Sequence, residues 1–288
     1  APDVSLKAVE VFARGTHKYP NLQLLIDRAL YEPYLAWARG QGALDRGCVT
    51  VDRGCFREAP LHLGRLILIS RLRSVVMGLG IVATVAALAT LCFGPAAAPW
   101  AALVAATNET LGFYGKQGNL DVPHTLWFLL SVLAYGRILR GDGRRSWLAF
   151  GLFAGAALAT KEGIVGAYVL MGAALLWTLA RQAARGQLGH WVWREAAARH
   201  GVMAAGLAGV YLLAQNALFN WSGFATHLGY WLEGPGLKDG QRYQGALWFA
   251  GVLVRRTVEG AGWPQLLFCA AALVLALRES APPDATAP

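Results

Sequence analysis

Long apolar blocks separated by short charged links constrain the fold of this chain more than any other feature. The chain is 56% hydrophobic and 15% charged, whereas soluble domains are about 25% charged. Because about 20 mostly apolar residues are enough for a helix to cross a bilayer, we predict an all-α, polytopic transmembrane bundle with about seven spans. The predicted spans are 66–93, 96–113, 124–139, 147–160, 164–180, 201–219 and 263–277.

Composition divides the chain into three regions. Residues 1–62 are polar and mixed, and we predict a first non-cytoplasmic loop that contains amphipathic helices, one of them at 22–37. Residues 63–280 are predicted to form the transmembrane helical domain, and residues 281–288 a disordered tail. The chain begins without Met or a signal peptide, so we expect a fragment of a longer protein.

The distribution of charge predicts an orientation in the membrane. The net charge is +9, but the arginines are scattered among apolar blocks and form no basic stripe, so we expect no nucleic-acid binding. Links rich in Arg stay in the cytoplasm, and links 137–145 and 181–200 fall on the same side under alternate crossing. The link at Asp121, the link at Lys161-Glu162, the loop 220–262 and residues 1–62 are then non-cytoplasmic. We predict a multi-pass protein of the plasma or inner membrane with its active site on that face.

Charged residues at several predicted helix ends share the non-cytoplasmic face. Asp121 alone would be an ordinary helix start, because Asp caps helices and Pro123 follows early. The Lys161-Glu162 pair alone would be a solvated turn, and Arg71 alone a side chain extending to the interface. That all of these charged residues share one face favours a functional site, because placing a charge in or near the membrane costs free energy and such charges commonly have a function.

Four stretches in order resemble the GT-C glycosyltransferases that use polyprenyl-phosphate sugars, among them the protein O-mannosyltransferases and the lipid A aminoarabinose transferase. The link Tyr114 to Pro123 is similar to their aromatic, basic, Asp-x-Pro link. Pro2-Asp3 followed by Tyr19 to Leu22 resembles their first outer loop, although Val4 stands where that loop usually has Glu. Arg71 to Ser74 resembles their Arg-x-x-Ser, and Gly151 to Glu162 their Gly-rich helix ending in Thr-Lys.

The resemblance implies a GT-C fold whose first transmembrane helix, preceding Asp3, is missing from this sequence. It also implies inverting transfer of a hexose or pentose from a polyprenyl-phosphate donor to a protein, lipid or glycan acceptor. Asp3 would act as general base, and Asp121 as a second carboxylate that orients the acceptor or a cation. Lys161, Arg71 and Lys116 would surround the donor phosphate, where negative charge develops.

Further candidates for substrate binding are Glu162, Tyr19 and His124. The histidines show no ligand spacing, so we predict no metal site and no cofactor; a divalent cation is possible but not indicated. Cys48 and Cys55 share a polar loop and could form a disulfide if that loop faces an oxidising compartment.

Two other functions stay open at this point. A transporter or flippase of a lipid-linked or anionic solute would place charges near the membrane centre and show paired inverted repeats. This chain has its charges at one face, without such a repeat. A membrane scaffold would tolerate Asp3→Ala and Asp121→Ala.

Overall fold

The computed structural model describes residues 21–43, 59–184 and 190–232, and every regular element that these residues form is helical. The predicted all-α membrane fold is confirmed. Several predictions lie outside the described residues: the roles of Asp3 and Tyr19, the pairing of Cys48 with Cys55, the span 263–277 and the tail 281–288.

The described residues form nine α-helices, numbered here in chain order. Short 3₁₀ turns, Pro95–Ala97 and Glu162–Ile164, precede the third and seventh of them. The helices are α1 Leu22–Gly40, α2 Ala59–Phe93, α3 Ala98–Ala106, α4 Glu109–Gly115, α5 Asp121–Leu139, α6 Arg144–Leu158, α7 Val165–Ala184, α8 His190–Ala214 and α9 Trp221–Leu232.

Within the described part of the chain, four helical segments are long and apolar enough to cross a membrane. They are Leu61–Phe93, Asp121–Leu139, Glu162–Arg181 and Trp193–Ala214. Large apolar side chains on them point outward; Leu79 and Leu170, for example, are 66% and 72% exposed. Exposed apolar surface of this extent suits contact with lipid rather than water.

The apolar run 96–113 is divided, in contrast to the single span predicted for it. Asn108 caps a new helix, since its Oδ1 accepts a hydrogen bond from the Leu111 amide at 2.8 Å. Glu109 follows in the first turn, where the helix dipole favours a carboxylate. The result is two short helices, α3 and α4, which together return the chain across the bundle.

Helix α6 lies at the centre of the bundle because its glycines admit close neighbours. A Cβ on Gly151 would lie 2.2 Å from the Met203 carbonyl oxygen, and one on Gly155 would lie 2.7 Å from that of Leu207. Ala154 is fully buried between them. Small residues four positions apart let two membrane helices approach backbone to backbone, here α6 and α8.

The chain passes back and forth between two ends of the bundle. The site end comprises the α4–α5 link at 116–120 and the α6–α7 link at 159–161. The basic end comprises the α5–α6 link at 140–143 and the adjoining ends of α7 and α8. Each helix from α5 to α8 connects one end with the other.

Helix α1 lies against the site end through a partly polar face. The predicted helix 22–37 is present as Leu22–Gly40, and the amide of Leu22 donates to the carbonyl of Ala159 at 3.1 Å. Tyr31 is buried, with 1% exposure, and its hydroxyl forms a hydrogen bond with the Ser70 hydroxyl. The buried face consists of Gln23, Asp27, Tyr31, Leu35 and Ala38.

Candidate functional site

An ion pair between Asp121 and Lys161 occupies the site end. The Lys161 Nζ lies 2.7 Å from Asp121 Oδ1, and the two side chains are 55% and 39% exposed respectively. The other oxygen, Oδ2, accepts a hydrogen bond from Asn119 Nδ2 at 2.9 Å. Asp121 is the first residue of α5 and does not cap the helix. Its amide donates a hydrogen bond to Asn119 Oδ1 at 3.2 Å. The Asp121 carboxylate is therefore available to pair with the Lys161 ammonium group.

The link that carries Asp121 lies directly on α2. Gly118 has φ +65°, and a Cβ there would lie 3.0 Å from the Cβ of Ser70 and 3.5 Å from the amide nitrogen of Arg71. Glycine meets both demands, because it adopts positive φ without strain and allows this close approach. The contact places the Arg71 backbone beside the link that begins at Lys116.

A buried ion pair fixes α1 to α2 beneath this link. Arg73 Nη1 lies 2.6 Å from Asp27 Oδ1, with side-chain exposures of 4% and 7%. Arg73 Nη2 also donates to Ser74 Oγ at 3.1 Å and to the carbonyl of Asn119 at 3.4 Å. This arginine was not among the predicted site residues, although it lies inside the Arg71 to Ser74 motif.

Two predicted phosphate ligands, Arg71 and Lys116, are exposed near the same contact. Neither forms an ion pair with another described residue. With Lys161, the site end thus presents three solvent-accessible cations, one of them oriented by a carboxylate. Guanidinium and ammonium groups in this setting suit an anionic oxygen ligand such as a phosphate.

The Glu162 carboxylate joins three helices. Its Oε1 accepts a hydrogen bond from the Tyr211 hydroxyl of α8 and lies 2.8 Å from Nε2 of His227 on α9. His227 is 1% exposed. Glu162 was predicted to bind substrate, and the structure shows it holding α8 and α9 against the start of α7. Tyr211 and His227 were missed, since no spacing in the sequence relates them to Glu162.

His124 lies one turn after Asp121 and is half-buried. Its Nδ1 lies 3.2 Å from the carbonyl oxygen of Ala157, so an Nδ1–H donates to α6. The ring thereby connects the beginning of α5 with the end of α6, next to the ion pair. Within the described residues, His124 forms no hydrogen bond with Lys161 or Asp121.

Cationic side chains are the distinguishing feature of this site. Among the described residues, no group of three or more His, Cys, Asp and Glu side chains is placed to hold a metal ion. Of the eight predicted site residues, the structure describes six: Asp121, Lys161, Arg71, Lys116, Glu162 and His124. All six lie at the site end.

Residues 63–198 match the family model of the dolichyl-phosphate-mannose-protein mannosyltransferases. The matched segment runs from α2 into α8 and includes the Asp121–Lys161 pair, Arg71 and Lys116. No curated protein and no solved structure matches the chain. The family consists of membrane glycosyltransferases of the GT-C type. Over this segment, just under half of its length, the chain is similar to the dolichyl-phosphate-mannose-protein mannosyltransferases, which confirms its resemblance to GT-C glycosyltransferases.

Proposed function

We propose that this protein is an inverting glycosyltransferase that moves a sugar from a polyprenyl-phosphate donor to an acceptor at the non-cytoplasmic membrane face. The observation that carries the proposal is the exposed Lys161 ammonium held by Asp121, inside the segment that matches the family. The name of the family makes mannose the first donor sugar to test and a protein hydroxyl the first acceptor.

The three cations have a role in the departure of the donor phosphate. As the bond between the anomeric carbon and the phosphate oxygen breaks, negative charge grows on the polyprenyl phosphate. An ammonium group has three donor hydrogens, so Lys161 can bond Asp121 and still donate to a phosphate oxygen. Arg71 adds a planar fork that matches two phosphate oxygens, and Lys116 adds a further positive charge. These groups stabilise the leaving phosphate more strongly as its charge develops.

The acceptor requires a base, and the proposal assigns that role to Asp3. Asp121 is already engaged by Lys161 and Asn119, so it suits an orienting role better than proton transfer. Asp3 would take the proton from the acceptor hydroxyl as that oxygen attacks the anomeric carbon. Attack from the face opposite the phosphate gives inversion. Asp3 lies outside the described residues, so its assignment rests on the family resemblance.

The decisive experiment measures mannosyl transfer from labelled polyprenyl-phosphate mannose to a Ser/Thr-rich peptide, with the protein in lipid bilayers. Lys161→Gln should lower kcat/KM by about 10²-fold, the loss typical of removing one preorganised electrostatic contact. Arg194→Gln is the matched control, because Arg194 is an exposed cation at the basic end. Equal transfer by these two variants would refute the phosphate role of Lys161.

A second comparison tests the base. Asp3→Asn should abolish transfer while leaving donor binding intact, because a neutral amide cannot accept the proton of the hydroxyl. Turnover equal to that of the unmodified protein would end the assignment of Asp3. Absence of transfer from every polyprenyl-phosphate sugar tested, with the protein folded and the donor bound, would refute the proposed activity itself.

A further inference from the structure

A cavity of about 410 Å³ opens at the basic end, between α5, α6, α7 and α8. It lies at the opposite end of the bundle from the Asp121–Lys161 pair and shares no residue with the proposed transfer site. Its walls differ in character: Leu139, Leu175 and Leu179 supply apolar surface, whereas Glu195, Arg199 and His200 supply polar groups.

The polar wall of the cavity carries excess positive charge. Glu195 accepts a hydrogen bond from Arg199 Nε in the same wall at 2.9 Å and another from Arg144 Nη2, just outside the cavity lining, at 2.6 Å. Two guanidinium groups therefore share one carboxylate, and one positive charge is left uncompensated. Both arginines keep further N–H donors for another anion, since a guanidinium has five.

The surroundings of the cavity strengthen this field. Among the described residues from 137 to 200 at this end, only two carboxylates, Asp142 and Glu195, accompany seven arginines. The arginines are Arg137, Arg140, Arg144, Arg145, Arg181, Arg194 and Arg199. Cytoplasmic bias explains an excess of basic residues in general, but not two of them paired across one carboxylate at the mouth of a cavity.

The apolar wall and the nearby tryptophans place the cavity at the level of lipid headgroups. Trp177 and Trp193 are 64% and 46% exposed at this end, and Arg181 lies 5.9 Å from the centre of the Trp177 ring. Exposed tryptophans typically lie where the hydrocarbon core meets the polar region. Leu175 and Leu179 lie on either side of Trp177 along α7, and Leu175 is the nearer of the two to the membrane interior.

We propose that this cavity binds an anionic glycerophospholipid, with its phosphate against Arg199 and Arg144 and the beginning of one acyl chain against Leu175 and Leu179. Basic pockets between transmembrane helices are suited to such headgroups. A free phosphate ion would leave the leucine wall unused. A zwitterionic lipid would bring a cationic group toward a surface that already carries positive charge.

Native mass spectrometry of the purified chain in detergent provides the test, with phosphatidylglycerol and phosphatidylcholine as probes. Phosphatidylglycerol should bind about tenfold more tightly than phosphatidylcholine, and Arg199→Gln should weaken it about fivefold, as expected for one arginine near an anionic headgroup. Arg194→Gln removes an exposed arginine from the same end but outside the cavity wall, and should leave the affinity within about twofold of the unmodified protein.

A second variant keeps every charge. Leu179→Trp narrows the apolar wall and should also weaken phosphatidylglycerol binding, which keeps the proposal testable if Arg199→Gln does not fold. Equal affinities for the two lipids would overturn the proposal, as would equal losses in Arg199→Gln and Arg194→Gln. Displacement of phosphatidylglycerol by millimolar inorganic phosphate would identify a free-anion site instead and would also overturn it.

Discussion

Lys161 Nζ lies 2.7 Å from Asp121 Oδ1 although the two residues are 40 positions apart in the sequence. The pair joins the beginning of α5 to the end of α6, where two links of the chain meet. Both side chains are substantially exposed, so such a pair contributes at most about 1 kcal/mol to the free energy of unfolding. Its geometry therefore matters more for the position of the ammonium group than for stability.

Asp121→Asn and Lys161→Gln should form a strongly non-additive pair in the transfer assay. Each change should lower kcat/KM by about 10²-fold, and the double variant should lose about as much as either single variant, because the carboxylate acts by positioning the cation. The thermal midpoint should stay nearly constant in all three. Losses that multiply in the double variant would show that Asp121 acts independently of Lys161.

Asp27→Asn should destabilise the protein by about 3 kcal/mol, because it leaves the Arg73 guanidinium buried without its carboxylate. Denaturant unfolding followed by α-helical circular dichroism measures the change. Glu32→Gln is the control on the same helix: Glu32 pairs with Arg28 and Arg39 at the surface, and its loss should cost less than about 1 kcal/mol. Equal effects of the two changes would contradict a structural role for the buried pair.

Gly151→Ala should separate α6 from α8, since its methyl group would lie 2.2 Å from the Met203 carbonyl oxygen. Overpacking of this kind costs about 1–3 kcal/mol, and here it acts on backbone atoms that cannot rotate away. Gly209→Ala on α8 meets no atom within 4 Å and should be neutral or stabilising, because Ala is the better helix former. A thermal midpoint for Gly151→Ala at or above that for Gly209→Ala would contradict the proposed close packing.

Gly118→Ala should reduce both stability and transfer. Positive φ costs about 1–2 kcal/mol for a residue with a Cβ, and here the methyl group would also press on Ser70. Relief of that contact shifts Asn119 and with it the Asp121 carboxylate. Gly115→Ala, where no atom lies within 4 Å, should leave both properties intact. If Gly118→Ala retained full transfer activity, the link would not be what positions the ion pair.

The pattern of apolar blocks was sufficient to predict α2 and α5 to α7 and their alternation between two ends, whereas α8 begins at His190, inside the predicted basic link 181–200. Because successive helices alternate in direction, Asp121 and Lys161-Glu162 had to lie at one end, and they do. The break at Asn108 was missed because the apolar pattern continues through it. A local signal was present, since Asn followed by Glu is typical of a helix start.

The buried Asp27–Arg73 pair could not be predicted from hydrophobicity. Gln23, Asp27 and Tyr31 recur at helical spacing, but they are polar. The sequence pattern therefore predicts that the helix face they share is exposed to solvent. Arg71 and Arg73 are two positions apart and so lie about 200° apart around α2. The motif alone does not indicate whether Arg71 or Arg73 points toward the bundle. The partners of Glu162 lie 49 and 65 positions along the chain, beyond any local pattern.

Helix α6 has 15 residues and is flanked by longer helices. Its axis is about 22 Å long, whereas the hydrocarbon core is about 30 Å thick. Where α6 is exposed to lipid, at Leu148 and Leu152, such a mismatch draws the bilayer surface inward. Lys161, just after the end of α6, would then meet the donor phosphate where the membrane is locally thinner. The acyl-chain length of the surrounding lipids therefore affects how readily the donor reaches Lys161.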